Sequence, residues 1–370
     1  LWILVANAWM QYPVGMEFDP AQMRNVMDDF WAVAFSPVAV HKFLHAVFDG
    51  WVLASVFVMG VSAYLIMRGK RREMAMRSVK VAGWTGAAGM VLTLWSGDSS
   101  AVDVARVQPM KLAAMEGLYD GGRGEEIVAF GILDPSKTLN DGKDPFIMKI
   151  AIPYGLSILA NHDMNSFVPG INDIIAGRSM NAEGDSIDTV SYAERMAMGK
   201  KSHEALRRFD RALTEGDTAA MDAARAEIKE NYPFFGYGYL DSAEEAVPPV
   251  GITFYSFHIM VLAGGYLTLF IAIALWSAYK RRRLWETRWW QWVAMLSVAV
   301  VWICSEAGWV TAEVGRQPWI IQDLMPARAA ISAIPSGTVI ITFVLFAAVF
   351  TALLAAEAVI MVKQINKEEE

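Results

Sequence analysis

Cysteine is nearly absent: Cys304 is the only one in 370 residues. With no partner in the chain it cannot form an internal bridge, which excludes a disulfide scaffold. Charge is scarce as well. Only 19% of residues are Asp, Glu, Lys or Arg, and acids outnumber bases 39 to 32, for a net charge of −7. A chain without a basic surplus is a poor match for nucleic acid, and none is expected as a partner. Low-complexity sequence is missing apart from the closing Glu368–Glu370, and there is no internal repeat. What fills the space is apolar: 55% of the chain is hydrophobic, with 14 Trp and 21 Met. That content excludes a disordered chain. Combined with the low charge, it moves the sequence away from the average soluble domain and toward the membrane.

Five segments are long and apolar enough to cross a bilayer as helices, for which about 20 residues suffice. They run over 38–67, 78–96, 251–279, 290–311 and 337–362. Leu1–Met10 is apolar but short and begins without Met, so it reads as part of a helix whose start lies upstream. The expected fold is an all-α integral membrane protein, a transmembrane helix bundle. Lys and Arg bias sets its orientation. Arg68, Lys70, Arg71, Arg72 and Arg77 follow the 38–67 span, and Lys280, Arg281, Arg282, Arg283 and Arg288 follow 251–279. The 11–37 connection instead carries Glu17, Asp19, Asp28 and Asp29 against Arg24. Basic turns are therefore expected in the cytoplasm, together with a C-terminal tail bearing Lys363 and Lys367.

One connection is out of proportion. Residues 97–250 are mostly polar and lie on the expected external side, and structureless loops beyond about 15 residues are uncommon. The stretch from Ser191 to Leu213 has helical amphipathic periodicity, and Ser191 with Glu194 makes a capping box. A second helix is expected over Thr218–Glu230, with Gly216 as the break. The chain thus divides into 1–96 (membrane helices, the first truncated), 97–250 (external) and 251–370 (membrane helices).

An ionisable group at mid-bilayer costs at least about 2.5–3.5 kcal/mol, so each one inside a span is a candidate for function. These are His41, Lys42, His45, Asp49, His258, Glu306, Glu313 and Glu357. Met260 joins them because a thioether can ligate haem iron. At 1.5 Å per residue His45 lies about 12 Å below Pro37, and Met260 about 16 Å below Pro249. Both helices enter from the same side, so the two side chains reach similar depth, as a flat macrocycle held between them requires. Imidazole with thioether is an electron-transfer ligand pair that raises the haem potential. The plainer reading is a hydrogen-bonded histidine and a packing methionine.

Glu306, Trp309, Glu313 and Arg316 recur at i, i+3, i+7 and i+10, on one helical face, and the helix should stop between Gly315 and Pro318. Glu313 suits iron ligation or proton transfer, and Arg316 suits a propionate clamp. A buried Glu–Arg pair pinning a helix end accounts for the same residues. Cys304 reads as a packing residue. His162 and His203 fall in the external segment, His203 on a solvated helix face, and Glu357 receives no role.

Several stretches carry a resemblance: WMQYPVG (Trp9–Gly15), KFLH ending at His45, VQPMKLAAMEG (107–117), FHIM ending at Met260, and GRQPW (315–319) after AGW and Glu313. With these the chain resembles subunit I of the cytochrome bd-type quinol oxidases from near its start to its final span. The resemblance implies a low-spin haem b with His45 and Met260 as axial ligands. It further implies a high-spin haem b ligated by Glu313, and a haem d, or haem b in its place, where oxygen reacts. Trp309 matches a tryptophan between haems and Arg316 an arginine near the propionates. Lys111 and Glu116 match residues of quinol oxidation on the external Q loop.

The implied function is a terminal respiratory oxidase of the bacterial cytoplasmic (inner) membrane. It takes electrons from quinol, ubiquinol or menaquinol, and reduces oxygen to water. The quinol protons leave outside, so proton motive force arises without pumping. The implied partners are a second membrane subunit (subunit II) and a small single-span subunit. Three features depart from the pattern. The first helices are missing, position 258 is His where Arg is frequent, and ionisable His41 and Asp49 flank His45 by one turn. His41 is a rival ligand, but His45 follows KFL as the pattern does. Lys111 and Glu116, five apart, project about 140° from each other around a regular helix, so they cannot both face one head group. A transporter or channel using Glu306, Glu313 and Arg316 is the alternative from another class, although neither broken helices nor inverted repeats are visible.

Overall fold

The structure, a computed structural model, describes residues 1–22, 24–180 and 185–366. The expected basic Lys367 and the acidic Glu368–Glu370 lie outside the described residues. Twelve α-helices are described: α1 (Trp2–Gln11), α2 (Phe30–Ala34), α3 (Pro37–Met67), α4 (Arg72–Val107), α5 (Pro109–Glu116), α6 (Gly155–Asn161), α7 (Ile171–Ala176), α8 (Tyr192–Glu215), α9 (Thr218–Asn231), α10 (Val250–Lys280), α11 (Arg288–Val314) and α12 (Ser336–Asn366).

Local chemistry sets the helix ends. Ser36 caps α3, its hydroxyl accepting from Ala39 N at 3.2 Å, with Pro37 at the first helical position. The capping box of Ser191 and Glu194 opens α8, and Gly216, at φ +74°, closes it as expected. Gly117 ends α5 in the same left-handed conformation, and α11 stops at Val314, before Gly315.

Among the described residues, four helical stretches are apolar and long enough to cross a membrane: 30–67, 243–280, 288–314 and 336–366. The fifth expected span lies within α4, which is 36 residues long but less apolar. Its composition has a packing reason. A Cβ on Gly83 would meet Leu275, one on Gly86 would meet Ser55, and one on Gly89 would meet Trp51 and the Phe48 carbonyl. Small residues let α4 approach α3 and α10 closely, at the expense of apolar side chains. The helix also runs on to Val107 instead of ending near 96.

Helices α3, α4, α10 and α11 form an antiparallel four-helix ring in which α3 packs on α4 and α11, and α10 packs on α4 and α11. The parallel pair α3 and α10 therefore stands diagonally across the bundle. Its dry core contains Val56 and Met59 from α3, Val79 from α4, Ile271 and Ala274 from α10 and Ala294 from α11. Trp285, fully buried, floors it, with its Nε1 donating to Ser277 Oγ at 3.0 Å. The two basic connections meet at that end, where Arg72 pairs with Glu286. Helix α12 stands off the ring with no buried residue, and Tyr64 OH donates to Asn366 Oδ1 at 3.3 Å near its end.

The opposite end carries the long loop. Besides α5–α9 it holds short antiparallel ribbons that were not expected, including Ile127–Leu133 paired with Phe146–Ile152, both rich in β-branched residues. Helices α8 and α9 pack through Ala205, Leu206, Phe209, Ala224 and Ile228. His203 is not simply solvated: its Nε2 lies 3.0 Å from Phe235 O, and its ring packs on Phe235 and Tyr239. The aromatic segment Tyr232–Tyr239 that follows α9 brought it inside.

Candidate haem and quinol sites at the loop end of the bundle

Toward the loop the dry core stops. Beyond Val52, Met90, Leu267 and Val301 the interior is occupied by His45, Ser96, Gly97, Met260 and Gly308. His45 Nδ1 lies 3.2 Å from both Thr93 O and Ser96 Oγ on α4. A carbonyl partner at Nδ1 makes that nitrogen the donor and leaves Nε2 as the lone-pair face, the usual arrangement behind a metal-ligating histidine. A Cβ on Gly97 would sit 3.2 Å from His45 Cε1, and one on Gly308 would sit 3.0 Å from Met260 Sδ. Gly264 and Gly265 face open space. Each candidate ligand thus has a glycine on the adjoining helix, and any larger side chain there would fill the cradle. The donor set, and glycines where a Cβ would press on each donor, fit a haem. The rival His41 is engaged elsewhere, its Nδ1 2.6 Å from Asp103 Oδ2. Asp49 accepts from Ser305 Oγ at 2.7 Å, and Cys304 Sγ contacts Met260 O at 3.4 Å.

A second cluster forms where α1, α3, α5 and α11 converge. Asn7 Nδ2 donates to Glu313 Oε1 at 2.8 Å, and Arg316 Nη2 lies 2.7 Å from Glu313 Oε2. Gln11 Nε2 donates to Asn7 Oδ1 at 2.9 Å, and Lys42 Nζ donates to the same oxygen. Lys111 Nζ reaches Gln11 Oε1 at 3.4 Å and Ala312 O at 3.3 Å. Three cations surround one carboxylate, and Arg316 Nε and Nη1 are buried without a hydrogen-bond partner among the described residues. A buried guanidinium with two free donors calls for a further anion. A carboxylate such as a haem propionate has that chemistry, so this cluster fits the group as well. Burial holds the Lys111 ammonium down to about 7, with the Lys42 charge adding to the effect.

Of the four residues expected on one α11 face, Glu306, Trp309 and Glu313 are on the helix and Arg316 lies past its end, and the four do not share one pocket. Glu306 and Trp309 are exposed, Glu313 is half-buried and Arg316 is 9% exposed. Past Val314 the chain leaves the helix, which turns Arg316 inward toward the loop. There a cavity of about 220 Å³ is lined by Arg106, Gln108, Lys111, Arg195, Arg316 and Asp323, among others.

Lys111 and Glu116 point to opposite sides of α5, as their spacing dictates. Glu116 is 2% exposed, and its Oε2 accepts from Val128 N at 3.4 Å while Oε1 has no hydrogen-bond partner among the described residues. Burial pushes its carboxyl up to about 8. His258 brackets the same residue from below, with Nε2 2.7 Å from Val128 O and Nδ1 2.8 Å from Phe254 O. Its ring stacks on Phe254 at 3.9 Å.

Sequence reasoning passed over Asn7 and Gln11 as site residues, although Gln11 sits inside WMQYPVG. It also missed a buried chain in which Gln108 Nε2 donates to Gln322 Oε1 (3.0 Å), and Gln322 Nε2 and Tyr237 OH donate to Asp323 Oδ1 (2.9 and 2.8 Å). Burial raises the Asp323 carboxyl, and burial beside Asp323 raises the Tyr237 phenol well above its usual value. Nothing in a sequence marks a neutral amide or a phenol as a partner over such separations.

Fold and site define a membrane helix bundle with a polar, glycine-lined interior at one end and a structured loop over it. The sequence pattern of the family described as cytochrome bd terminal oxidase subunit I matches residues 1–369. Cytochrome bd-II ubiquinol oxidase subunit 1 of Escherichia coli (strain K12) is 36% identical over 367 residues, covering 98% of this chain and 69% of that protein. Cytochrome bd ubiquinol oxidase subunit 1 of Bacillus subtilis (strain 168) is 27% identical over 372 residues, covering 100% and 65%. The solved structure of bd oxidase from Geobacillus thermodenitrificans shares the fold, with a TM-score of 0.70 at 23% identity over 99% of this chain and 67% of that one. The chain belongs to the cytochrome bd terminal oxidase subunit I family and is thereby an oxidoreductase subunit. It spans about two thirds of the length of these relatives.

Proposed function

We propose that the chain serves a terminal oxidase that oxidises a membrane quinol, ubiquinol or menaquinol, at the loop end and reduces oxygen to water. The observation that carries this is the interior of the bundle, where the packed core gives way to glycines flanked by one imidazole and one thioether. His45 and Met260 would hold a low-spin haem b, and Glu313 a high-spin haem b with Arg316 at a propionate. An oxygen-reactive haem d, or haem b in its place, completes the reading. When bound, these groups supply one-electron transfer and oxygen chemistry.

The protein's own residues handle protons and orientation. Quinol oxidation releases two protons, so the site needs an acceptor close to the head group. Glu116, buried with one oxygen free, has that role, and its burial against Val128 keeps bulk water away. Lys111 lies on the other side of α5 and adds its amine to the cationic surround of Glu313. Trp309 and Glu306, exposed on α11, would border the further haem. His258 fixes the α10 end against the strand over Glu116. Basic turns in the cytoplasm put the quinol site outside, so protons leave externally and motive force arises without pumping. A second membrane subunit and a small single-span subunit are the expected partners.

The test is oxygen uptake by the purified complex with a reduced short-chain quinol, alongside a reduced-minus-oxidised absorbance spectrum. Quinol-dependent uptake with a low-spin b-type band is expected. A haem-free preparation that folds and still moves ions would replace this reading with a transporter.

A further inference from the structure

The end of the bundle far from the loop holds a second cavity, of about 420 Å³, which no part of the proposed redox chemistry uses. Its walls are the last turn of α3 at Ile66, the first turns of α4 (Arg72, Glu73, Met76, Arg77, Lys80) and the 3₁₀ turn Arg282–Glu286, with Trp285 as its floor. Four cations face two carboxylates. Arg72 is paired with Glu286, and Arg77 approaches Glu73 only at 3.7 Å with both side chains almost fully exposed. Lys80 and Arg282 have no carboxylate partner among the described residues. The cavity therefore keeps a positive surplus above an apolar base.

Its surroundings are those of a membrane boundary. Lys80 Nζ lies 4.6 Å over the Tyr279 ring, and Trp84 Nε1 donates to Tyr279 OH at 3.3 Å. Trp84 is 62% and Tyr279 52% exposed, and Arg281 covers the neighbouring ring of Trp276. Exposed Trp and Tyr with Lys and Arg snorkelling past them mark the headgroup level. From there the outer faces of α4 and α10 continue as apolar surface, through Val81 and Val91 and through Ile273 and Leu269. A ligand suited to this site has an anion at one end and hydrocarbon at the other. Basic pockets between membrane helices at this depth bind acidic lipid headgroups.

We propose that the cavity between α3, α4 and the 282–286 turn is a binding site for an acidic phospholipid. Its phosphodiester would sit among Arg77, Lys80 and Arg282, and its acyl chains along α4 and α10. Metal-free anions lack the second half of that complementarity, and a zwitterionic headgroup cancels the first.

The experiment is native mass spectrometry of the intact, detergent-solubilised complex. It is titrated with phosphatidylglycerol, and separately with phosphatidylcholine of the same acyl length. Wild-type protein is expected to retain one phosphatidylglycerol at least about tenfold more tightly than phosphatidylcholine. The R77Q/K80Q/R282Q protein should lose that preference, by about fivefold per charge removed. R283Q, outside the cavity, and the charge-preserving R77K/K80R/R282K should keep it. Equal retention of the two lipids by wild-type protein overturns the proposal whatever the variants do. So does undiminished retention in a folded triple-Gln variant, or displacement of the lipid by millimolar inorganic phosphate, which would make a free anion the occupant.

Discussion

The two halves of one four-helix bundle are built on opposite rules. Away from the loop the interior is mostly apolar, its few serines are hydrogen-bonded within the bundle, its glycines let neighbouring helices touch, and the packing closes on Trp285. Toward the loop the same four helices set Gly97 against His45 and Gly308 against Met260, and carry Glu313, which Arg316 meets from just past the end of α11. A protein interior is normally packed to crystal density. A half that sets glycine beside an imidazole and a thioether, while its continuation is filled by apolar side chains, is shaped for something other than its own packing. The closed half holds the helices in register so that the open half keeps its geometry.

Substitutions that exchange the two behaviours test the contrast. The largest effect is expected from H45A, which should abolish the low-spin haem b band in the reduced-minus-oxidised spectrum while leaving the far-ultraviolet helix signal intact. An unchanged band would refute the ligand assignment. Next, E116Q should lower kcat/KM for quinol by about 10²–10⁴-fold, the usual worth of a proton acceptor. Because burial raises Glu116 to about 8, the wild-type rate should climb with pH through that value. The variant's profile should be flat there, and an identical profile in both would remove Glu116 from the reaction.

In the closed half, M59A should cost about 2–5 kcal/mol by opening a cavity, seen as a lower Tm with the haem spectrum unaltered. Spectral loss instead would mean that the halves are not separable. The smallest effect is a slope. Lys111 is held down to about 7 from 10.5, so between those values the unfolded chain binds the extra proton and stability rises with pH. The contribution is at most about 1.4 kcal/mol per pH unit. Glu116 works oppositely between 4.5 and about 8, where the folded state holds the proton and stability falls as pH rises. K111M should remove the alkaline gain in Tm and leave the acid-side trend. A variant whose Tm still climbs above pH 8 as wild type does would show that Lys111 is not buried in solution.

Much of this was legible before any coordinates. Apolar runs of the right length, basic turns, and the helix-end signals at Ser191 and Gly216 are local, and the helices follow them. The 140° divergence of Lys111 and Glu116 is helix arithmetic and survives folding. The ribbon of 127–133 with 146–152 escaped because its strands pair across an intervening turn inside a polar loop, and His203 was misplaced because its aromatic partners lie beyond the next helix. The α11 stripe was right as a stripe and wrong as a pocket, since Arg316 falls past the helix end, where periodicity no longer applies.

Sequence alone determined which long segments are helices and which end of the bundle is basic, because those depend on neighbours a few residues away. Only the tertiary structure decided that Gly97 stands opposite His45 and Gly308 opposite Met260, that Asn7 and Arg316 divide the oxygens of Glu313, and that the basic turns close around a cavity. Those outcomes depend on which faces of distant helices meet, and that is fixed by packing the whole chain at once.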